Sequence, residues 1–141
     1  MMYNTTHKNN EIAELINTKV GKPFRLMERI KLKGIGSKRM KVVAASFHLI
    51  KYLNKVSDIN YLNIELRPKG VILHLTKGHQ NFAWPIPYYQ LVFFKGDEFS
   101  LHANGNFIRV ACDRNFKENK KFLKKLQLMK DNFNNHNNVP I

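Results

Sequence analysis

From Leu62 to Cys112 short apolar runs with a period of two alternate with turn signals, and one amphipathic helical pattern follows them. Alternation at that period puts every second side chain on one face of an extended strand. Ile64 and Leu66 lead into Arg67-Pro68-Lys69-Gly70, a turn with Pro at its second position and Gly at its fourth. Val71, Leu73 and Leu75 alternate with Ile72 and His74 before Lys77-Gly78 turns the chain again. Phe82, Trp84 and Ile86 continue the pattern with Pro85 and Pro87 between them. Proline has no amide to give to a ladder, so this run is expected at a sheet edge or at a sharp bend. Leu91 and Phe93 oppose Val92 and Phe94, and Lys95-Gly96-Asp97 closes the run. Phe99, Leu101 and Ala103 are answered by Ile108, Val110 and Cys112 across Asn104-Gly105, the strongest hairpin signal in the chain.

The closing helix is expected over residues 116–131, with Asn115 as cap and Glu118 completing a capping box. Phe122, Leu126, Met129 and Phe133 form its apolar stripe, and Lys117, Lys120, Lys121, Lys124 and Lys125 occupy the rest of the cylinder. The Asn-rich residues 134–141 read as a disordered tail. Residues 1–60 are less regular. Asn10 to Thr18 reads as a short helix stopped by Gly21 and Pro23. Residues 24–33 fit a strand or a helix, and the strand reading is taken. Gly34-Ile35-Gly36-Ser37 reads as a flexible loop. Met40, Val43, Phe47 and Ile50 have helical spacing, so residues 40–55 are expected to be helix, and Ser57 to Asn60 a linker.

The fold class expected is α+β. An antiparallel sheet or partly open barrel of about five to seven strands is capped by a C-terminal helix and preceded by a helical extension. A chain of 141 residues with 43% hydrophobic residues is expected to form one domain, with 1–60 as a basic extension and 61–133 as sheet plus helix. The net charge of +14 is uneven. Residues 1–60 hold 12 Lys/Arg against 4 Asp/Glu, residues 61–112 hold 5 against 3, and residues 113–141 hold 7 against 3. The flanks therefore carry the field, and such a field attracts polyanions or solubilises the chain. The sequence has no long apolar run and a polar start, so a cytoplasmic location is expected. The single Cys112 ends an apolar run and reads as a buried, inert thiol.

The segment IPYYQLVFFKGDEFSLHANGNFIRVACDRNFKENKKFLKKLQLM, Ile86 to Met129, resembles the last strands and capping helix of the pleckstrin-homology-like fold in its small bacterial versions. Two departures stand out. Many bacterial relatives of this type adjoin transmembrane helices, and the helix here lacks the tryptophan typical of eukaryotic members, the one Trp being Trp84. The resemblance implies a binding scaffold, since members bind phosphoinositides, peptides or protein surfaces.

Candidate binding residues follow from charge and exposure. Lys31, Lys33, Lys38, Arg39 and Lys41 surround the glycine loop, where close backbone approach and cations suit a phosphate. Its glycines lack the spacing of a nucleotide-binding loop. Lys117, Lys121 and Lys124 form a second basic patch, which joins the first only if the loop lies beside the helix. Val92 and Phe94, on the face opposite Leu91 and Phe93, are candidates for a protein interface. The six histidines have no metal-ligand spacing, so no metal or cofactor is expected. No nucleophile and base stand together in the sequence, so the chain reads as non-enzymatic. A pocket bringing two of His74, His102 and Glu65 within hydrogen-bond reach would argue for catalysis instead. The partner expected is a protein or an anionic headgroup surface. The alternative is nucleic acid, with the basic N-terminal region as a helix-turn-helix-like unit beside the C-terminal helix.

Overall fold

The computed structural model describes residues 1–54 and 59–137. Along the chain run β1 (Tyr3–Asn4), α1 (Asn10–Val20), α2 (Leu26–Lys31), β2 (Met40–Ala45), a 3₁₀ turn (Phe47–Tyr52), β3 (Tyr61–Arg67), β4 (Gly70–Lys77), β5 (Gln80–Pro87), β6 (Val92–Lys95), β7 (Glu98–Ala103), β8 (Asn106–Ala111), α3 (Arg114–Lys117) and α4 (Lys120–Asn137). Every pairing is antiparallel, in the order β1-β5-β4-β3-β2-β8-β7-β6, and the sheet does not close. It has eight strands where five to seven were expected. The expectation missed β1 entirely and read β2 as helix.

Local turn chemistry explains the hairpins. Asn104 and Gly105 both take positive φ, 51° and 78°, as a two-residue turn between β7 and β8 requires. Pro68 and Lys69 link Arg67 to Gly70 across the β3–β4 hairpin. Gly70 must be glycine for a packing reason: a Cβ there would sit 2.3 Å from the Ile86 carbonyl oxygen and 2.8 Å from Val20 Cγ1. Pro85 and Pro87 pair with Ile72 and Gly70 on one side of β5, while β1 covers only Phe82 and Ala83 on the other. The prolines thus fall on the stretch of β5 that β1 leaves unpaired, where a missing amide costs nothing.

Three expectations for local structure are corrected. Residues 40–45 are strand, followed by the 3₁₀ turn, not a helix. The helical spacing was carried by Val43, Phe47 and Ile50, which are 41%, 84% and 52% exposed, while Met40 and Val42 are buried at alternate positions. Residues 26–31 are helix, not strand, because the Glu28 carboxylate accepts the Arg25 amide at 3.2 Å and caps the first turn. The C-terminal helix is split. Asp113, not Asn115, caps α3 through the Phe116 amide at 3.1 Å, Glu118 ends α3, and α4 starts afresh at Lys120. It runs to Asn137, into the stretch expected to be a tail; residues 138–141, like Ser57 and Asp58 of the expected Ser57 to Asn60 linker, lie outside the described residues.

The core lies between the two halves of the sheet and α4. Leu62, Ile64, Leu66, Leu73 and Leu75 of one half meet Phe99, Leu101, Ile108 and Val110 of the other, with Phe116, Phe122 and Leu126 closing over them. The other face of β4 and β5 is covered by α1, whose Ile16 and Val20 pack on Ile72 and Ala83. No helix among the described residues is long and apolar enough to cross a membrane.

Leu126 is fully buried, so Leu126→Ala should cost about 2–5 kcal/mol in thermal or urea unfolding. Gly70→Ala should cost about 1–3 kcal/mol from overpacking. Gly36→Ala, with nothing within 4 Å of the added carbon, should leave the midpoint unchanged.

Candidate anion-binding groove

The junction of α3 and α4 holds the loop that precedes β2. Asn119, 2% exposed, accepts the Lys38 amide at 2.8 Å and returns a bond from its own amide to the Lys38 carbonyl at 3.2 Å. The same side chain amide donates to the Asn115 carbonyl at 3.0 Å. Lys125 Nζ donates to the Gly34 carbonyl at 2.8 Å, and Lys38 lies 3.9 Å from Glu118. The loop therefore lies beside the helix, where it meets Lys125 and Glu118; it does not merge the two basic patches, since Lys117 and Lys124 lie on the other flank.

That loop is not free, as had been expected. The Gly34 amide donates to Arg29, the Ser37 amide to Ile64 and the Lys38 amide to Asn119, while the Leu66 amide donates to the Ile35 carbonyl. Amides engaged in this way cannot cradle a phosphate, so any anion here is held by side chains. Those side chains diverge. Lys38 turns to Glu118, and Arg39 lies 4.3 Å from the Tyr61 ring centroid at the edge of a cavity of about 470 Å³ shared with Asn54 and Thr76. Lys41, two residues on, is exposed. Lys33, just past the end of α2, lies near Lys125, and Lys31 is exposed on the last turn of α2. Burial and the nearby Lys33 charge both push the Lys125 ammonium below its ordinary value.

On the other flank of the helix lies a groove of about 820 Å³ between α3–α4 and β6. Its floor is Phe93, Phe99, Cys112, Phe116 and Leu123, and its rim is Lys95, Lys117, Lys120 and Lys124. The rings of Phe93, Phe99 and Phe116 form a continuous stack, with centroids 5.7 Å and 5.3 Å apart. All four lysines are exposed, and among the described residues no acidic side chain lines the groove. Cys112 is half-buried at the floor rather than enclosed in the core. Of the helix lysines named from sequence, Lys117 and Lys124 line this groove. Lys121 is exposed and does not line it. Lys120, placed on the basic face of the helix but not among the candidate binding residues, lines it too, and Lys95 was missed. Lys95 reads as a turn residue, and only the approach of β6 to the helix brings it to the rim. Val92 and Phe94, on the opposite face of β6, are 47% and 60% exposed, with the His102 ring 5.5 Å from that of Phe94.

Glu65 and His74 do meet. The His74 ring Nε2 donates to Glu65 Oε1 at 2.9 Å, beside a cavity of about 330 Å³ under α1 that both line. His102 is elsewhere, stacked between Phe94 and Phe107. The condition set for reopening an enzymatic reading is thus fulfilled by one pair. The other carboxylate oxygen accepts Arg67 Nε at 2.6 Å, and Arg67 Nη1 reaches the Asn17 side chain at 2.9 Å and the Gly21 carbonyl at 2.8 Å. Burial raises the Glu65 pKa, but the bonds from His74 and Arg67 outweigh it and hold the carboxyl below its usual range. A carboxylate so committed is a poor base; it holds Arg67, whose guanidinium ties β3 to α1. Tyr88, whose hydroxyl donates to the Arg67 carbonyl at 2.8 Å, is pushed well up by burial.

Comparison with known proteins gives no relative: no family model, no curated protein and no solved structure matches the chain.

A carboxyl whose pKa is depressed on folding adds stability above its unfolded range, and that stability is lost as pH falls through the folded value. Glu65→Gln leaves Arg67 without its counter-charge and should cost about 1–3 kcal/mol at neutral pH. In melts taken across pH, the gap between wild type and variant should close below about pH 4. A gap that persists unchanged into acid would contradict the charge pairing.

Proposed function

We propose that this chain is a non-enzymatic interaction module of pleckstrin-homology-like type that docks an acidic, extended protein segment in the groove between β6 and α3–α4. The resemblance seen in sequence is supported by the succession of hairpins and by a last helix that packs across them into the core. The observation that carries the binding reading is the groove itself. An aromatic floor beside a terminal strand is rimmed by four lysines and lined by no acid. β6 stands last in the sheet order and pairs only with β7 among the described residues. A strand with a free edge is a template for an added strand, main-chain bonds giving affinity and side-chain pockets selectivity. Alternate apolar side chains of such a segment would enter the Phe93–Phe99–Phe116 floor, and acidic ones would meet the lysines.

The helix-turn-helix part of the nucleic-acid reading has no counterpart in the fold, because α1 packs on β4 and β5 and residues 40–45 are strand; the basic C-terminal helix, its other part, supplies the groove's lysine rim. An apolar floor also offers nothing to a phosphate backbone.

The test is anisotropy titration with labelled peptides that alternate Glu with Leu or Phe, run beside duplex DNA. The peptides should bind with a steep salt dependence. A variant carrying Lys95→Glu, Lys120→Glu and Lys124→Glu should bind them about tenfold or more weakly. Its melting temperature should hold, because these side chains are exposed. Equal binding by the variant, or tighter binding of duplex DNA than of every peptide at physiological salt, would refute the reading.

A further inference from the structure

Helix α2 is built in an unusual way for a surface helix. Leu26, Met27 and Ile30 are 72%, 70% and 64% exposed, and none of its residues is buried. The chain on either side is fixed. Phe24, just before the helix, is 8% exposed in the main core, and Leu32, just after it, packs against that core. Arg29 Nε donates to the Phe24 carbonyl at 3.0 Å, and Glu28 caps the first turn. The apolar face is therefore held outward by anchored ends. Single exposed apolar residues are ordinary, but three within five positions form a patch.

The surroundings of the patch are cationic. Lys22, Arg25, Arg29, Lys31 and Lys33 fall within twelve residues against one acid, Glu28, already used as a cap. Lys125 arrives from α4 at the Gly34 carbonyl, close enough to Lys33 for the two charges to repel. A counter-anion would relieve that repulsion. None of these residues lines the groove described above.

We propose that α2 is an interfacial anchor for an anionic bilayer, with Leu26, Met27 and Ile30 entering the acyl boundary and Lys31, Lys33 and Lys125 engaging headgroups. Three arguments select a bilayer. A second copy would bring two clusters of like charge together. A protein groove reads a helix at positions i, i+3, i+4 and i+7, and α2 has only six residues. A fluid acyl layer needs no preformed complement, and apolar burial adds to attraction for anionic lipid.

The full chain is to be co-sedimented with vesicles of phosphatidylcholine alone and of phosphatidylcholine with about one-third phosphatidylserine. Binding is expected to the anionic vesicles only. Leu26→Ser, Met27→Ser and Ile30→Ser together should weaken it about tenfold or more at unchanged melting temperature, since all three side chains are exposed. Lys31→Glu with Lys33→Glu should weaken it as well. Ile30→Trp should show a blue-shifted emission on adding anionic vesicles, against the constant signal of buried Trp84. Full binding by the triple-serine variant, no blue shift, or no sedimentation at low salt would each overturn the proposal. So would soluble polyglutamate bound through the same three side chains in place of vesicles.

Discussion

Strand β2 is paired to two halves of the sheet at once, and the rest of the fold depends on it. Met40 and Lys41 face Leu62 and Tyr61 of β3, while Val42, Ala44 and Ala45 face Val110, Arg109 and Ile108 of β8. The register slips between Val42 and Ala44, leaving Val43 as the extra residue of a bulge. A bulge bends its strand and sharpens the local twist. Here it turns the ladder from one half to the other, so that two open meanders enclose one core. The Ser46 hydroxyl, donating to the Asn106 side chain at 2.9 Å and accepting the Phe107 amide at 3.2 Å, extends the junction beyond the strand.

A second constraint places the charge. Asn119 sits where α3 ends and α4 begins; two of its bonds hold Lys38, two residues before β2, and a third ties it to the Asn115 carbonyl of α3. Within α4 itself the lysines divide between two flanks. Lys117, Lys120 and Lys124 join Lys95 around an aromatic floor, and Lys125 joins Lys33 below α2. The same helix buries Phe122 and Leu126 in the core, so the cationic flanks and the core share one element.

The hairpins were legible because their determinants are local. Asn104-Gly105, Pro68 and the paired prolines of β5 act through backbone preferences that do not need the rest of the fold. The strand β2 was not legible, since its buried phase covers only Met40, Val42 and the half-buried Ala44. Exposed Val43, Phe47 and Ile50 supplied a competing helical period. Helix α2 misled for a related reason: its apolar residues face solvent, so hydrophobicity there reports no core. The groove was legible only in part. The helix lysines stand out as a charged face, but Lys95 joins them through tertiary contact. Asn119, one asparagine among many, reveals its role only once the loop lies against it. Glu65 and His74 could be named as partners because both stand on strands of one hairpin, facing each other diagonally across its outer face.

The proposed receptor for an acidic segment unites the terminal strand and the last helix. Amide chemical-shift mapping of the labelled chain, titrated with a peptide alternating Glu with an aromatic residue, reads it out residue by residue. Shifts are expected at Val92–Lys95 and along Phe116 to Gln127. Shifts confined to the α1 face of β4 and β5, or to the cavity beside Arg39 and Asn54, would contradict it.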